Sequence, residues 1–320
     1  PPLLYSLTSL QAEANKLFKF TASKTLAIAQ KLYEEYQILS YPRTDSEHLP
    51  ENIVSEVKKL LQELTPKGLR DVIDPSKLSS DYKRVFDDTK VKDHHALIPL
   101  GAPPKNIDPD SLKIYNLVLN RFVAAFSKDS KKASVEITTK VSGLVFKTCK
   151  NLCMEAGWKK VYNVKEDKEE LQKFKQIEAE VKKKKHVVVF KEKCFVEESK
   201  TSPPPRFTEG TLIKEMKAKG LGTAATRDSI IERLKEVGYV QVKDGKLFST
   251  EKGRKLILEL INDSLLSSVE ITSLWEKELS EIYEKNKGKK GYDDFIESVK
   301  NFVKEEVEKL KQKFLSTKEL

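Results

Sequence analysis

The 320-residue chain carries 59 Lys and Arg against 49 Asp and Glu, a net charge of +10, and 38% of its residues are hydrophobic. That length suits two or three compact units rather than one. No uninterrupted apolar run approaches the roughly 18 residues of a membrane helix, which excludes a helical membrane protein, and no signal-peptide pattern opens the chain. The cation excess fits a polyanion partner, because Lys and Arg release counterions condensed on nucleic acid, although many soluble proteins are this basic. Cys149, Cys153 and Cys194 are odd in number and lack Cys-x-x-Cys spacing, which reads as free thiols in a reducing cytosol and not as a zinc site. An opening Pro1-Pro2 without Met reads as a fragment of a longer protein.

The first third predicts helices. Thr8-x-x-Gln11 has the spacing of a capping box, with Leu10, Ala14 and Leu17 at helical intervals behind it. Leu26, Ala29, Tyr33 and Tyr36 form a second stripe with Ser23 as its cap. Pro50 occupies a first helical position ahead of Ile53, Val57, Leu60, Leu61 and Leu64. Asp108-Pro109 opens a helix whose buried face is expected to be Leu112, Tyr115, Leu119, Phe122 and Phe126.

Near Ala133 the period changes from helical to two. Val135 and Ile137, then Leu144 and Phe146, alternate, and Val187-Val188-Val189-Phe190 reads as a buried strand, so 133–200 predicts a small β unit. Lys182 to Lys185 is a charge run expected at a solvated edge or turn. Ser202-Pro203-Pro204-Pro205 is a stiff extended linker. Beyond it, Thr208 caps a helix ending at Gly220, and a second helix over Ala224–Val237 closes at Gly238. A hairpin turning at Asp244-Gly245 follows, giving the outline of a winged helix-turn-helix. A helix near 250–262 and two long charged ones near 269–287 and 291–316 finish the chain.

Three segments carry chemistry. Pro42 keeps Tyr41 out of the α conformation, so the preceding helix must end and Tyr41 must lie in extended chain, followed by Arg43, Thr44, Asp45 and Ser46. A phenol can act as a nucleophile on phosphorus where a cation neutralises the phosphate, and Arg43 has the planar fork for two phosphate oxygens. The same residues also suit a plain helix–loop junction. In Asp93-His94-His95, an imidazole can hold phosphate or move a proton. Adjacent histidines in extended chain point to opposite faces, which disfavours one shared metal, and a structural role stays open. Arg206 follows the proline run, and Gly220-Leu221-Gly222-Thr223-Ala224-Ala225-Thr226-Arg227 opens a helix whose N–H groups and hydroxyls suit a backbone phosphate, or an ordinary cap.

In this order the segments resemble the type IA DNA topoisomerases. Pro1 to Gln11 is similar to that family's entry into its tyrosine domain, Lys24 to Tyr33 to the helix before the nucleophile, and Tyr41-Pro42-Arg43-Thr44-Asp45-Ser46 to the active-site signature in its bacterial topoisomerase III form. The resemblance implies a mainly α, multidomain α+β fragment of the family's toroid. Its parts would be a helical gate domain over 1–132, part of the β hinge over 133–205, and a helical strand-binding base over 206–320 with the winged-helix-like segment. It implies Tyr41, Arg43 and His94 as catalytic residues. It also implies Thr44, Asp45, Ser46, His95, Arg206, Thr223, Thr226 and Arg227 along a single-stranded DNA path.

The family's acidic toprim domain, which binds Mg²⁺, precedes this segment, and no Asp-x-Asp-x-Asp cluster occurs in the chain. The expectations are therefore Mg²⁺ for the intact enzyme but no metal here, and a piece that binds single-stranded DNA without completing catalysis. Its partner would be the missing toprim domain, and the expected protein is a monomer in the bacterial cytoplasm, associated with the nucleoid. Two rivals differ in class. One is a winged-helix regulator that reads duplex DNA with 224–237, and the other is a helical scaffold without nucleic acid.

Overall fold

The computed structural model describes residues 1–91, 93–184, 198–262, 264–285 and 288–316. The chain forms two compact units, each assembled from separate stretches. The first contains Pro1–Tyr5, Tyr36–Ser40 and Ser46–Pro204, and the second Ser6–Glu35, Tyr41–Asp45 and Pro205–Leu320. The class is α+β, mainly helical with small antiparallel sheets.

The second unit holds α1 (Leu7–Phe18) and α2 (Ala22–Glu34). The cap of α1 is Ser6, not Thr8. Ser6 and Ser9 exchange backbone and hydroxyl hydrogen bonds, which shifts the start and turns Thr8 and Gln11 inward. Gln11 then donates to the Ala22 carbonyl at 3.1 Å. Leu10 and Ala14 are buried, whereas Leu17 is exposed. Thr21, not Ser23, caps α2, whose buried stripe is Leu26, Ala29 and Leu32. Tyr33 is exposed and Tyr36 lies beyond the helix end.

The first unit begins its helices with a 3₁₀ turn over Glu51–Ile53 that leads into α3 (Val54–Leu64), then α4 (Pro109–Ala125). Asp108 accepts from the Ser111 N–H, and Pro109 at the first position has no N–H to leave unpaired. The core of this unit joins Val57, Leu60 and Leu61 of α3 to Phe122 and Phe126, with Phe86, Ile98 and Leu49 from the intervening chain. Tyr115 is buried as expected, but Leu112 is exposed. Isolated bridges, Tyr5 to Leu97 and Leu39 to Pro99, pin the extended chain of this unit.

Strands β1 (Lys131–Val141) and β2 (Leu144–Glu155) form an antiparallel ribbon. It turns on Ser142 and Gly143, both at positive φ (48° and 83°), the backbone that a two-residue hairpin demands. The expected all-β stretch to residue 200 is corrected: Lys168–Lys184 is a helix, α5, with Glu169 and Glu170 in its first turn and a Glu178–Lys182 pair. Acid at the N-terminus and base at the C-terminus suit the helix dipole, and Lys182 to Lys184 lie on this helix. The expected strand Val187–Phe190 and Cys194 lie outside the described residues.

After the proline run the second unit resumes with α6 (Glu209–Ala218) and α7 (Arg227–Glu236), then β3 (Val240–Lys243) and β4 (Lys246–Ser249) turning at Asp244-Gly245. Ile213 and Met216 of α6, Ile231 of α7 and Ala22 make its core. The short α8 (Glu251–Lys255), capped by Thr250, runs into a π-helical turn over Leu256–Leu260. Two long helices follow, α9 (Val269–Glu284) and α10 (Gly288–Ser316), with Trp275 and Phe302 edge-to-face at 5.1 Å. Among the described residues no helix is long and apolar enough to cross a membrane.

Candidate active site in the tyrosine loop

The second unit gathers the loop Tyr41–Asp45 against α1, α6 and the turn that opens α7. Pro42 breaks the chain away from helix, and the Thr44 N–H closes a three-residue turn onto the Pro42 carbonyl at 2.9 Å. The Thr44 carbonyl then accepts the Leu7 N–H at 2.9 Å, satisfying one of the N–H groups that α1 leaves unpaired at its start. The Tyr41 ring meets the Tyr33 ring edge-on, with centroids 5.4 Å apart. Arg43 is half-buried and donates to the Ala225 carbonyl at 3.1 Å, so its guanidinium rests on the turn before α7.

Asp45 is the most heavily bonded group of the loop. Arg227 Nη1 donates to both of its carboxylate oxygens, at 2.9 and 3.2 Å. Lys217 Nζ lies 3.5 Å from the carboxylate and donates to the Asp45 carbonyl at 3.0 Å. Partial burial pushes the Asp45 carboxyl upward, but the Arg227 hydrogen bond and the charges of Arg227 and Lys217 outweigh it and hold the pKa below the usual carboxylate value.

Arg227 itself is only 5% exposed. Its remaining donors reach the Leu221 carbonyl (3.2 Å), the Gly222 carbonyl (2.8 Å) and Thr8 Oγ1 (3.2 Å), so the guanidinium is spent on protein acceptors. The helix begins at Arg227 instead of Ala224. The reason is the turn itself. Thr223 Oγ1 accepts the Ala225 N–H, Thr226 Oγ1 accepts the Thr223 N–H, and the two hydroxyls meet at 3.3 Å. These bonds hold 223–226 as a closed turn ahead of the helix. Gly222, at φ +62°, is tight for a side chain: a Cβ would lie 3.0 Å from Thr226 Oγ1.

The other expected residues are placed as follows. Arg206 is exposed, with its guanidinium 4.4 Å over the Phe248 ring of β4. Thr44 is buried. Ser46, in the first unit, donates to the Lys90 carbonyl at 3.0 Å and accepts from the His48 N–H. His94 and His95 also belong to the first unit, His94 exposed and His95 half-buried. The His95 Nδ1–H donates to the Ala96 carbonyl at 2.7 Å, since a carbonyl only accepts.

Two paired residues of this unit, one of them at the loop, carry no mark in the sequence. Lys217 is one lysine among many on a charged helix, and no local pattern marks it. Glu209 is 5% exposed, accepts the Ala22 N–H at 3.1 Å and pairs with Lys235 at 2.7 Å; its place after Thr208 signalled only an acidic first turn. Among the described residues no group of three or more His, Cys, Asp or Glu is placed to hold a metal. Asp45 is taken by two cations. Among the described residues the tyrosine loop's carboxylate is therefore not placed to hold Mg²⁺.

Fold and loop together define a multi-unit α+β protein built around a proline-terminated tyrosine–arginine segment. The chain belongs to the DNA topoisomerase family, whose sequence model matches residues 1–297. It is 34% identical to DNA topoisomerase 3 of Shouchella clausii, over 97% of this chain and 44% of that protein, and 31% identical to DNA topoisomerase 3 of Bacillus subtilis, over 97% and 45%. Its fold is similar to that of full-length topoisomerase I from Thermotoga maritima, with a TM-score of 0.68 and 26% identity over 94% of this chain and 50% of that one. The chain thus spans about half the length of the relatives it matches.

Proposed function

We propose that this chain is the strand-cleaving and strand-binding part of an ATP-independent type IA topoisomerase, with Tyr41 as its nucleophile. The observation that carries the reading is the loop geometry: a tyrosine outside helix and strand, met edge-on by Tyr33, two residues from an arginine held beside a hydroxyl-rich helix-opening turn. Tyr41 Oη attacks a backbone phosphorus, forming the 5′-phosphotyrosine bond and breaking the bond to the 3′ oxygen. The phenolic proton leaves, and one proton must reach the departing 3′ oxygen. Arg43 exchanges the Ala225 carbonyl for phosphate oxygens and stabilises the charge that builds there. His94 contacts phosphate or carries a proton, with His95 beside it.

Thr223 and Thr226 at the opening of α7, Arg206, Thr44 and Ser46 follow the single strand. In this reading 1–132 is the gate domain, 133–205 part of the hinge and 206–320 the strand-binding base. The enzyme as a whole relaxes or decatenates DNA by strand passage and religation, as a monomer in the bacterial cytoplasm at the nucleoid. The Mg²⁺ of that intact enzyme belongs to a toprim domain absent from this chain, so the chain alone binds a single strand without completing relaxation. The rival duplex reader is weakened by α7: a recognition helix presents its first residues to base edges, yet Arg227 and Asp228 are both buried.

The test is covalent capture. With the N-terminal portion that the relatives carry restored, a 3′-labelled-strand assay is expected to trap a protein–DNA adduct that maps to Tyr41 and vanishes in Tyr41→Phe. An adduct that persists in Tyr41→Phe overturns the assignment; full relaxation by the 320-residue chain alone overturns the claim that this chain does not complete catalysis by itself.

A further inference from the structure

Arg227 and Asp45 are 182 residues apart in sequence, and nothing in either segment alone announces that they meet. Their geometry differs from that of a DNA-binding pair. A donor meant for phosphate keeps N–H groups toward solvent, yet Arg227 is almost fully buried and its guanidinium bonds protein acceptors: Thr8 in α1, the Leu221 and Gly222 carbonyls, and Asp45. Lys217 adds a second cation from α6, bridging the Asp45 carboxylate and carbonyl to Ser6 Oγ at the cap of α1. Two elements, α6 and α7, thus converge on one carboxylate at the end of the tyrosine loop, and both cations are tied in turn to the start of α1. The loop carbonyl of Thr44 is itself fixed by the first N–H of α1.

We propose that Asp45, Arg227 and Lys217 are positioning residues that clamp the end of the tyrosine loop, and that neither cation is a donor to the DNA strand. The proposal rests on Tyr41 being the nucleophile, since the purpose of the clamp is to hold Tyr41 and Arg43 in register with a bound strand. One guanidinium nitrogen, Nη1, bonds both carboxylate oxygens, and a hydrogen bond between two ionised groups is stronger than a neutral one. A misplacement of the reacting group by about 1 Å costs on the order of a hundredfold in rate, so a rigid loop end has catalytic value without touching the substrate.

The test uses the 320-residue chain and Asp45→Asn, Arg227→Lys and Arg227→Gln, with amide hydrogen exchange and a fluorescent single-stranded oligonucleotide titrated at several salt concentrations. Asp45 is 41% exposed, so Asp45→Asn removes the charge without burying a new group and keeps the test valid if Arg227→Gln fails to fold. Exchange at the Leu7 and Thr44 amides should rise by about tenfold in Asp45→Asn, with α4 amides unchanged, because the loop opens locally while the rest stays closed. Oligonucleotide affinity and its salt slope should stay within about threefold and unchanged, respectively, in Asp45→Asn and Arg227→Lys. With the N-terminal portion restored, adduct formation at saturating oligonucleotide should fall by about tenfold with KM unaltered, and Arg227→Lys should recover part of it.

Three results would overturn the clamp: a salt slope lower by about one in Arg227→Gln, which marks a phosphate donor; unchanged exchange at Leu7 and Thr44; or acceleration spread evenly over all amides. Absence of any oligonucleotide binding by the unsubstituted chain would refute the topoisomerase reading instead, and leave the exchange result to decide the clamp.

Discussion

Lys235 in α7 stands between two carboxylates, 2.7 Å from Glu209 and 2.7 Å from Glu232. Burial alone would push its pKa down, but the hydrogen bonds and charges of the two glutamates leave it above the ordinary lysine value. A folded pKa raised above the unfolded one means that the stabilisation is complete at neutral pH and is lost only as pH climbs through the raised value. Glu209 is the more deeply buried partner, and its carboxylate also holds the Ala22 N–H that starts α2. Lys235→Met is therefore expected to cost about 2–3 kcal/mol, because it strands a buried charge, whereas Glu209→Gln/Lys235→Met should cost less than the single change. Urea denaturation at neutral pH measures both, and the gap between wild type and Lys235→Met should narrow only in strongly alkaline buffer. A second residue-scale case is Gly222: at φ +62° with a Cβ only 3.0 Å from Thr226 Oγ1, Gly222→Ala should destabilise by about 1–2 kcal/mol. Thermal unfolding would show it. The same change should also weaken single-strand binding by disturbing the threonine turn.

At the scale of elements, α4 and the hairpin at Asp244-Gly245 are legible because their signals are local. Asp108-Pro109 supplies a cap and a first residue with no N–H to lose, and Asp244-Gly245 supplies the two positive φ values that the turn needs. Asp108→Ala should accordingly cost about 1 kcal/mol in chemical denaturation, since the Ser111 N–H loses its acceptor; no loss would mean that water replaces the cap fully. The start of α1 was misplaced by a competition between equivalent caps. Thr8-x-x-Gln11 and Ser6-x-x-Ser9 both have the spacing, and the second won because Thr8 and Gln11 are used by Arg227 and Ala22 across the unit. Helix α5 was missed because its apolar residues are sparse in a lysine- and glutamate-rich stretch and the neighbouring period-two pattern was extended over it. In the site, the Tyr41-Pro42-Arg43 break was visible because proline acts on its immediate neighbour. The pairing of Asp45 with Arg227 and Lys217 was invisible because it depends on chain closure over distances of 172 and 182 residues.

For the molecule as a whole, the net charge of +10 gains meaning only through where the cations are spent. Many are neutralised locally: Lys77 on Asp129 at 2.6 Å, Lys113 on Asp110 at 2.8 Å and Lys147 on Glu136 at 3.0 Å, besides Arg227 and Lys217 on Asp45. Cations held in such pairs release few counterions from a strand, because binding the strand would first have to break the pair. Arg206 differs: it is exposed and stacked on Phe248, a combination that offers a phosphate a charge and a base an aromatic neighbour. Single-strand affinity should therefore fall linearly in log–log form with salt, at a slope of about 0.7 per phosphate contacted, far below what ten net charges acting together would give. Arg206→Ala should lower that slope by about 0.7–1 and weaken binding alike for oligonucleotides of different sequence, because a backbone contact carries no base information. Lys147→Ala, which removes a cation already paired, should leave the slope where it was. If instead Lys147→Ala and Arg206→Ala reduce the slope equally, the strand is held by the diffuse charge of the surface, and the path along Arg206 and the threonine turn loses its support.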